Sequence, residues 1–297
     1  MSPLSELARA KTNLFLEVPR RRDDGFHELD TVFIELAVAD RLEFEARDEP
    51  GIELLIEGDA ELSAGPDNLV VRAGEALREL AGAAGAGLGA RIRLRKEIPQ
   101  GGGLGGGSSD AAAALRGLNS LWGLGTPPED LAQIAAELGS DVAFFLAGGV
   151  QRGRGRGEVL TPLPLPPAPL ELVLILPGFP SPTPAVYRAL APHLPSEPRD
   201  PDSLLAALAS GDATALGATL FNRLEAPAFE LYPDLAALRD QLAGAPEAEG
   251  VLLSGSGSTL IALCAERSAA ETLAERLRVA PPEPFPSLRA LATRSVS

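Results

Sequence analysis

The chain has 297 residues, 45% apolar and 23% charged, the composition of a globular protein too long for one hydrophobic core, so two domains are expected. Its net charge of −15 opposes nonspecific binding to nucleic acid or anionic membranes, and its one cysteine, Cys264, excludes an intramolecular disulfide and a cysteine-cluster metal site. The lone thiol fits a reducing, cytoplasmic setting, the N-terminal MSPLSELARAK lacks the apolar run of a signal peptide, and no stretch approaches the ~20 apolar residues of a membrane span.

The first elements are strands. Residues 11–18 (KTNLFLEV) alternate in polarity, and 27–36, 41–47 and 52–58 also read as strands between turn-rich pieces such as RRDDG and RDEPG. Asp67 is expected to cap a helix over 68–81, with Leu69, Val70, Ala73, Leu77 and Leu80 on its apolar face. Residues 90–98 alternate again, a glycine-rich loop follows at 101–107, and a helix is predicted over 109–121. Thr126-Pro127-Pro128-Glu129 reads as a capping box opening a helix that ends near residue 138. Five prolines in the nine residues 161–169 read as an extended crossing and set the expected boundary between domains 1–160 and 161–297. Beyond it, 170–178 is a buried strand, and short helices are predicted near 183–191, 202–209, 212–222 and 233–243. Residues 251–264 read as strand, glycine loop and strand, and a helix over 268–278 and a strand near 287–294 close the chain. The fold class is α+β, in two domains.

Lysine occurs only at positions 11 and 96, against 24 arginines. A lysine kept against that bias suits a place where a compact ammonium works and a planar guanidinium does not. Chance placement is the competing reading.

The strongest local signal is Pro99-Gln100-Gly101-Gly102-Gly103-Leu104-Gly105-Gly106-Gly107-Ser108-Ser109-Asp110, between a predicted strand and a predicted helix. Its glycines let the backbone wrap an anion, the helix turns its unpaired N–H groups and positive dipole end toward it, and Ser108 and Ser109 add hydroxyls. A flexible linker would share this composition but rarely sits between a strand and an amphipathic helix. The loop is not a Walker A motif, because Gly107 is followed by Ser-Ser-Asp rather than Lys-Ser/Thr. A dinucleotide-binding fingerprint would need a second strand ending in an acidic residue about 20 residues on, where a helix is predicted instead.

The loop resembles the phosphate loop of the galactokinase–homoserine kinase–mevalonate kinase–phosphomevalonate kinase (GHMP) superfamily. Within that superfamily the whole chain resembles the branch acting on a cytidine-diphosphate-linked sugar alcohol. The matching pieces run from end to end: 10–16 (AKTNLFL), 24–29 (DGFHEL), Asp67-Asn68-Leu69, the loop 99–109, Gly139-Ser140-Asp141-Val142, Pro182-Thr183-Pro184 and Ser254-Gly255-Ser256-Gly257. The resemblance implies a two-domain GHMP-kinase-like fold with the active site in the cleft between domains. It implies an ATP-dependent kinase of the non-mevalonate isoprenoid precursor pathway, phosphorylating the 2-hydroxyl of a methylerythritol unit. It assigns Lys11 and Asp141 as the catalytic pair; read alone, Asp141 would be a turn cap and Lys11 a solvated strand-edge charge. The residue types suit the task, since a carboxylate can orient an alcohol and accept its proton while an ammonium offsets charge on the transferring phosphoryl group. It also implies that Asn68 and Lys96 lie near the adenine, that loop 254–258 closes over the substrate and phosphate region, and that Asn13, His27 and Thr183 contact the cytidine-diphosphate end. Read alone, Asn68 is a first-turn helix residue, Lys96 an exposed strand cation and 254–258 a tight hairpin turn. The family clamps cytosine between two aromatic rings, for which this chain offers Phe26 and Tyr187. His193 has no such support and is expected at the surface.

The sequence departs from the family pattern in having Phe26 for the usual Tyr, Ala143 for the usual Pro and Arg9 in place of a Pro. None of these removes a reactive group, although Ala143 bears on the rigidity of the Asp141 loop. Mg²⁺ is expected as the partner of ATP; Ser109 is the candidate protein ligand by analogy with loops whose first helical hydroxyl reaches the metal. A homoserine or mevalonate-type kinase is the nearest rival, and the Gly25-Phe26-His27 and Pro182-Thr183-Pro184 pieces argue against it. A nucleic-acid-binding module is the remote one, resting on the arginine–glycine tract Arg152–Gly157 and opposed by the net charge.

Overall fold

The computed structural model describes residues 4–296. In chain order the strands and helices begin with β1 (Leu4–Arg21), β2 (His27–Arg47), β3 (Gly51–Glu57), α1 (Leu69–Leu80), β4 (Gly89–Arg95), α2 (Gly106–Leu121), α3 (Pro128–Leu138) and α4 (Val142–Ala147). They continue with β5 (Val150–Gly155), β6 (Val159–Pro162), β7 (Glu171–Leu176), α5 (Thr183–Ala189), α6 (Asp202–Ser210), α7 (Ala213–Thr219), β8 (Phe221–Asn222), α8 (Glu225–Leu231) and α9 (Pro233–Ala243). The last are β9 (Gly250–Leu253), β10 (Leu260–Cys264), α10 (Arg267–Val279) and β11 (Arg289–Arg294). No helix among the described residues is long and apolar enough to cross a membrane.

The residues fall into two compact units that interleave along the chain. One comprises the described residues up to Ala10, with Val38–Pro99 and Gly105–Gly148; the other comprises Lys11–Ala37, Gln100–Leu104 and the residues from Gly149 onward. Packing therefore does not follow a single cut at 160/161, because β1 and β2, at 18 and 21 residues, each run through both units.

In the first unit, β4 pairs in parallel with β3 and antiparallel with Arg41–Arg47 of β2. Helices α1 and α2 pack together, and their buried residues include Val70, Ala73 and Leu77 on α1 and Ala111–Ala114, Leu115 and Leu118 on α2. Truncating one of these leucines to alanine costs about 2–5 kcal/mol, so α2 has a fixed base from which its N-terminus projects. Three local expectations change. The α1 cap is Asn68, whose Oδ1 accepts from Val70 N at 2.9 Å, while Asp67 accepts from Ser63 Oγ. No capping box forms at Thr126, because the N-cap position falls one residue later, on Pro127, which has no side-chain acceptor. Helix α2 begins at Gly106, three residues early, because Gly105 takes the left-handed conformation (φ 73°) and turns the loop into the helix. Helix α4, at six residues, is too short to leave a periodic signal and was not foreseen.

In the second unit, β11, β7, β10 and β9 form an antiparallel sheet over a core that includes Val173, Ile175, Leu190, Leu238, Leu260 and Leu273. Leu29–Ile34 of β2 pairs with β5, which pairs with β6. The helix expected to run to 222 stops at Thr219, and Phe221–Asn222 join Phe15–Leu16 of β1 in parallel. The arginine–glycine tract is ordered: Arg152–Gly155 lie in β5, with Gly153 and Gly155 buried and Arg154 exposed. A Cβ at Gly153 would come within 2.6 Å of the Phe33 ring, and Arg152 makes a two-pronged pair with Asp30 at 2.8 and 2.6 Å. The glycines here permit close strand packing and do not make a flexible arm.

Candidate active site

Side chains two apart on a strand share a face, and Lys11 and Asn13 do so on β1. Lys11 is 4% exposed, and its Nζ donates to Asn13 Oδ1 at 2.9 Å and lies 5.4 Å from the Phe33 ring centre. Asn13 Nδ2 donates to Thr31 Oγ1 at 2.6 Å, and Thr31 Oγ1 to Phe15 O at 2.6 Å. The amide is thereby fixed with its oxygen toward the ammonium. Lys11 is no solvated edge charge.

The two glycine loops meet in the same unit. Ser254 Oγ lies 3.0 Å from Thr12 Oγ1 and donates to Gly103 O at 3.1 Å, while Lys11 N donates to Leu104 O at 3.0 Å. A Cβ at Gly103 (φ 76°) would lie 2.0 Å from Ser254 O, so Gly103 is required both by its own conformation and by the second loop. Asn222 Nδ2 ties that loop down through Leu253 O and Gly255 O at 2.8 and 2.7 Å. Residues 254–259 are thus both the hairpin connection between β9 and β10 and a wall against which Gly102 and Gly103 rest.

The other predicted residues of this unit lie around the β1–β2 turn and α5. Asp24 Oδ1 accepts from Phe26 N at 3.1 Å, and Arg22 N donates to Phe26 O at 2.8 Å, which holds the Phe26 ring outward, 53% exposed. The Arg156 guanidinium stands 5.1 Å from the centre of that ring. His27 and Tyr187 pack ring against ring at 4.9 Å. Burial, assisted by Arg21, holds His27 below its ordinary 6.5, so its imidazole is neutral at pH 7. Thr183 and Tyr187 are four apart on α5 and share a face. Thr183 Oγ1 is 2.7 Å from Ser256 Oγ, and Ser181 Oγ donates to Ser256 O at 2.8 Å, linking this region to the second glycine loop. His193 lies 3.1 Å from Glu230, in the short 3-10 turn Ala191–His193 that follows α5.

The first unit holds the rest. Pro99 closes the segment after β4, Gln100 opens the next, and from Gly105 the loop enters α2. No side chain caps the start of this 16-residue helix, which leaves the N–H groups of its first turn for an anion or solvent. Ser108 is half-buried and Ser109 buried. Among the described residues there is no group of three or more His, Cys, Asp or Glu side chains arranged to hold a metal ion. Asp141 stands at the N-cap position of α4, where its side chain makes no capping hydrogen bond. Ala143 is the second residue of α4, a position that proline tolerates and where its absence costs no backbone bond. Asn68 has both ends of its amide engaged, Oδ1 with Val70 N and Nδ2 with Ser63 O at 2.7 Å.

Lys96 differs from expectation. It is no exposed strand cation: the side chain is 5% exposed and donates to Asp40 Oδ2 and, at 2.6 Å, to Asp110 Oδ2. Burial works to lower its pKa but is outweighed by the two carboxylates, which raise it. Sequence reasoning missed Asp40 because it sits 56 positions from its partner. It also missed the Thr12–Ser254 pair and Arg156, although Asp110 is printed in the loop motif itself and could have been suspected.

Profiles of two domains match this chain, the GHMP kinase N-terminal domain over residues 68–149 and the GHMP kinase C-terminal domain over 204–281. The chain is similar to 4-diphosphocytidyl-2-C-methyl-D-erythritol kinase of Pelotomaculum thermopropionicum, 45% identical over 277 residues that cover 93% of this chain and 94% of that one. It is similar to a crystal structure of 4-(cytidine 5'-diphospho)-2C-methyl-D-erythritol kinase, with TM-score 0.82, 41% identity and 99% of each chain covered. Homoserine kinase from Cytophaga hutchinsonii shares the fold, with TM-score 0.69 and 21% identity, covering 100% of this chain and 96% of that one.

Proposed function

Because this chain belongs to the GHMP kinase family, in its 4-diphosphocytidyl-2-C-methyl-D-erythritol kinase branch, we propose that it transfers the γ-phosphate of ATP to the 2-hydroxyl of 4-diphosphocytidyl-2-C-methyl-D-erythritol. The observation that carries this reading is 45% identity maintained over 93% of the chain. The step belongs to non-mevalonate isoprenoid precursor synthesis.

ATP enters as its magnesium complex, and N–H groups within residues 100–108 receive its phosphates. In a chain of net charge −15 this local donor set must overcome repulsion of the triphosphate. Asp141 orients the 2-hydroxyl and accepts its proton as the oxygen attacks the γ-phosphorus, and the bond to the ADP oxygen breaks. Lys11, held by Asn13, offsets charge on the transferring group. Phe26 and Tyr187 stack on the cytosine, while Asn13, His27 and Thr183 supply polar contacts to the cytidine diphosphate. Asn68 borders the adenine.

The test is ADP release from the purified protein, coupled to a reporter enzyme, with ATP and a panel of acceptors. Turnover on the cytidine compound, and little on homoserine, mevalonate or phosphomevalonate, is expected. Preference for any of the other three would overturn the substrate assignment and leave the kinase assignment standing.

A further inference from the structure

The glycine loop is held at both ends by one buried cluster. On its incoming side, Asp40 Oδ1 accepts from the backbone N–H groups of Glu97 and, at 2.8 Å, of Ile98. On its outgoing side, Asp110 is the fifth residue of α2. Lys96 joins the two, its ammonium donating to Asp40 Oδ2 and to Asp110 Oδ2. Everything between residues 98 and 110 is loop or first helical turn. We propose that Asp40, Lys96 and Asp110 form a clasp that closes the base of this loop, making Lys96 a positioning residue and not a nucleotide ligand.

Three observations support this. The cluster is buried on all sides: Asp40 is fully inaccessible, and the side chains of Lys96 and Asp110 are nearly so. Its ammonium is wholly engaged, since it faces two carboxylates, so the cluster adds no net attraction for a triphosphate. It also sits directly beneath the helix start, because a Cβ at Gly106 would lie 3.4 Å from Lys96 Nζ. That space explains a lysine retained amid 24 arginines, since a planar guanidinium would reach the backbone of the first turn. The excess carboxylate leaves a mark on Asp110: its Oδ1 is buried with no hydrogen-bond partner among the described residues. Burial pushes the Asp110 carboxyl up to about 7, with Lys96 opposing and Asp40 adding to the rise.

The clasp bears on catalysis only on the reading that the loop binds ATP, so its test has one arm without substrates. Hydrogen exchange of the amides of residues 100–109 is measured in nucleotide-free protein, and KM for ATP is measured separately. Lys96→Met strands two buried carboxylates; loop exchange should quicken and KM for ATP should rise, each by about 10-fold or more. The KM for the cytidine substrate should hold. Lys96→Met/Asp110→Asn removes the surplus charge, and Asp40 keeps its two backbone donors, so most of both losses should be recovered. A double variant as poor toward ATP as Lys96→Met, with loop exchange normal in both, means that the ammonium touches the nucleotide and overturns the clasp. Should Lys96→Met not fold, Asp110→Ala decides, because it frees only the outgoing side and leaves Lys96 balanced by Asp40. Faster loop exchange in Asp110→Ala supports the clasp, and unchanged exchange overturns it. If no acceptor is phosphorylated at all, the exchange arm still decides.

Discussion

Lys11 Nζ donates to Asn13 Oδ1 at 2.9 Å from the same face of β1. Because Asn13 is itself held by Thr31, the ammonium sits in a direction set by the strand and not by its own flexible stem. Lys11→Arg keeps the charge but not the point geometry in a site that is 4% exposed. Its kcat should fall by about 10²-fold or more. Steady-state kinetics on folded Lys11→Arg checks this; near-normal turnover would remove the need for a compact ammonium there. Lys96→Arg, which exposure at a strand edge would make mild, should also be impaired, through ATP binding.

Asp141→Asn retains the shape of the side chain and removes the base. Turnover should drop by about 10²-fold or more, while KM for both substrates changes little, since the group acts chiefly in the transition state. A single-turnover measurement separates this from slower product release.

The two rings offered to cytosine have different supports. Phe26 is exposed beneath Arg156, so Phe26→Ala should fold normally, and Phe26→Tyr should be nearly silent because stacking uses the ring face. Tyr187 is packed on His27, so Tyr187→Ala loses both a stacking face and a wall for the imidazole. A stacked base is worth about 1–3 kcal/mol, which is roughly a 5- to 150-fold rise in KM for the cytidine substrate. KM for ATP should stay nearly constant. Tyr187→Ala losing ATP affinity instead, or nothing, would put the cytosine elsewhere.

Glu17 is fully buried in β1 and accepts from Arg223 Nε and Nη2, both at 2.7 Å, from Arg199 N at 2.9 Å and from Val18 N at 2.8 Å. Burial alone would raise its pKa, but these donors outweigh it and hold the carboxyl below its ordinary 4.5. A depressed acid stabilises the fold above its unfolded value and loses that contribution as pH falls through its folded one. Urea unfolding should therefore show stability dropping below pH 4.5, with a shallower drop in Glu17→Gln. Arg223→Ala strands the buried carboxylate and should cost about 3 kcal/mol at neutral pH. An acid limb unchanged in Glu17→Gln would show that other carboxylates dominate it.

The sequence by itself determined what depends on neighbouring residues. The alternation of 11–18, the glycines of 101–107 and the apolar face of α1 each encode a backbone preference within a few positions, and the order of the motifs identified the GHMP family. The tertiary structure decided what depends on partners distant in sequence. Lys96 reads as a surface cation until Asp40 and Asp110 enclose it, and the arginine–glycine tract reads as support for a nucleic-acid-binding module until it takes its place in β5 with Gly153 pressed against Phe33. The second loop reads as a plain hairpin until Ser254 meets Thr12, 242 positions away, and Gly103. The division has one physical cause: conformational preference is a property of the local chain, whereas burial and ion pairing exist only after the chain has closed on itself.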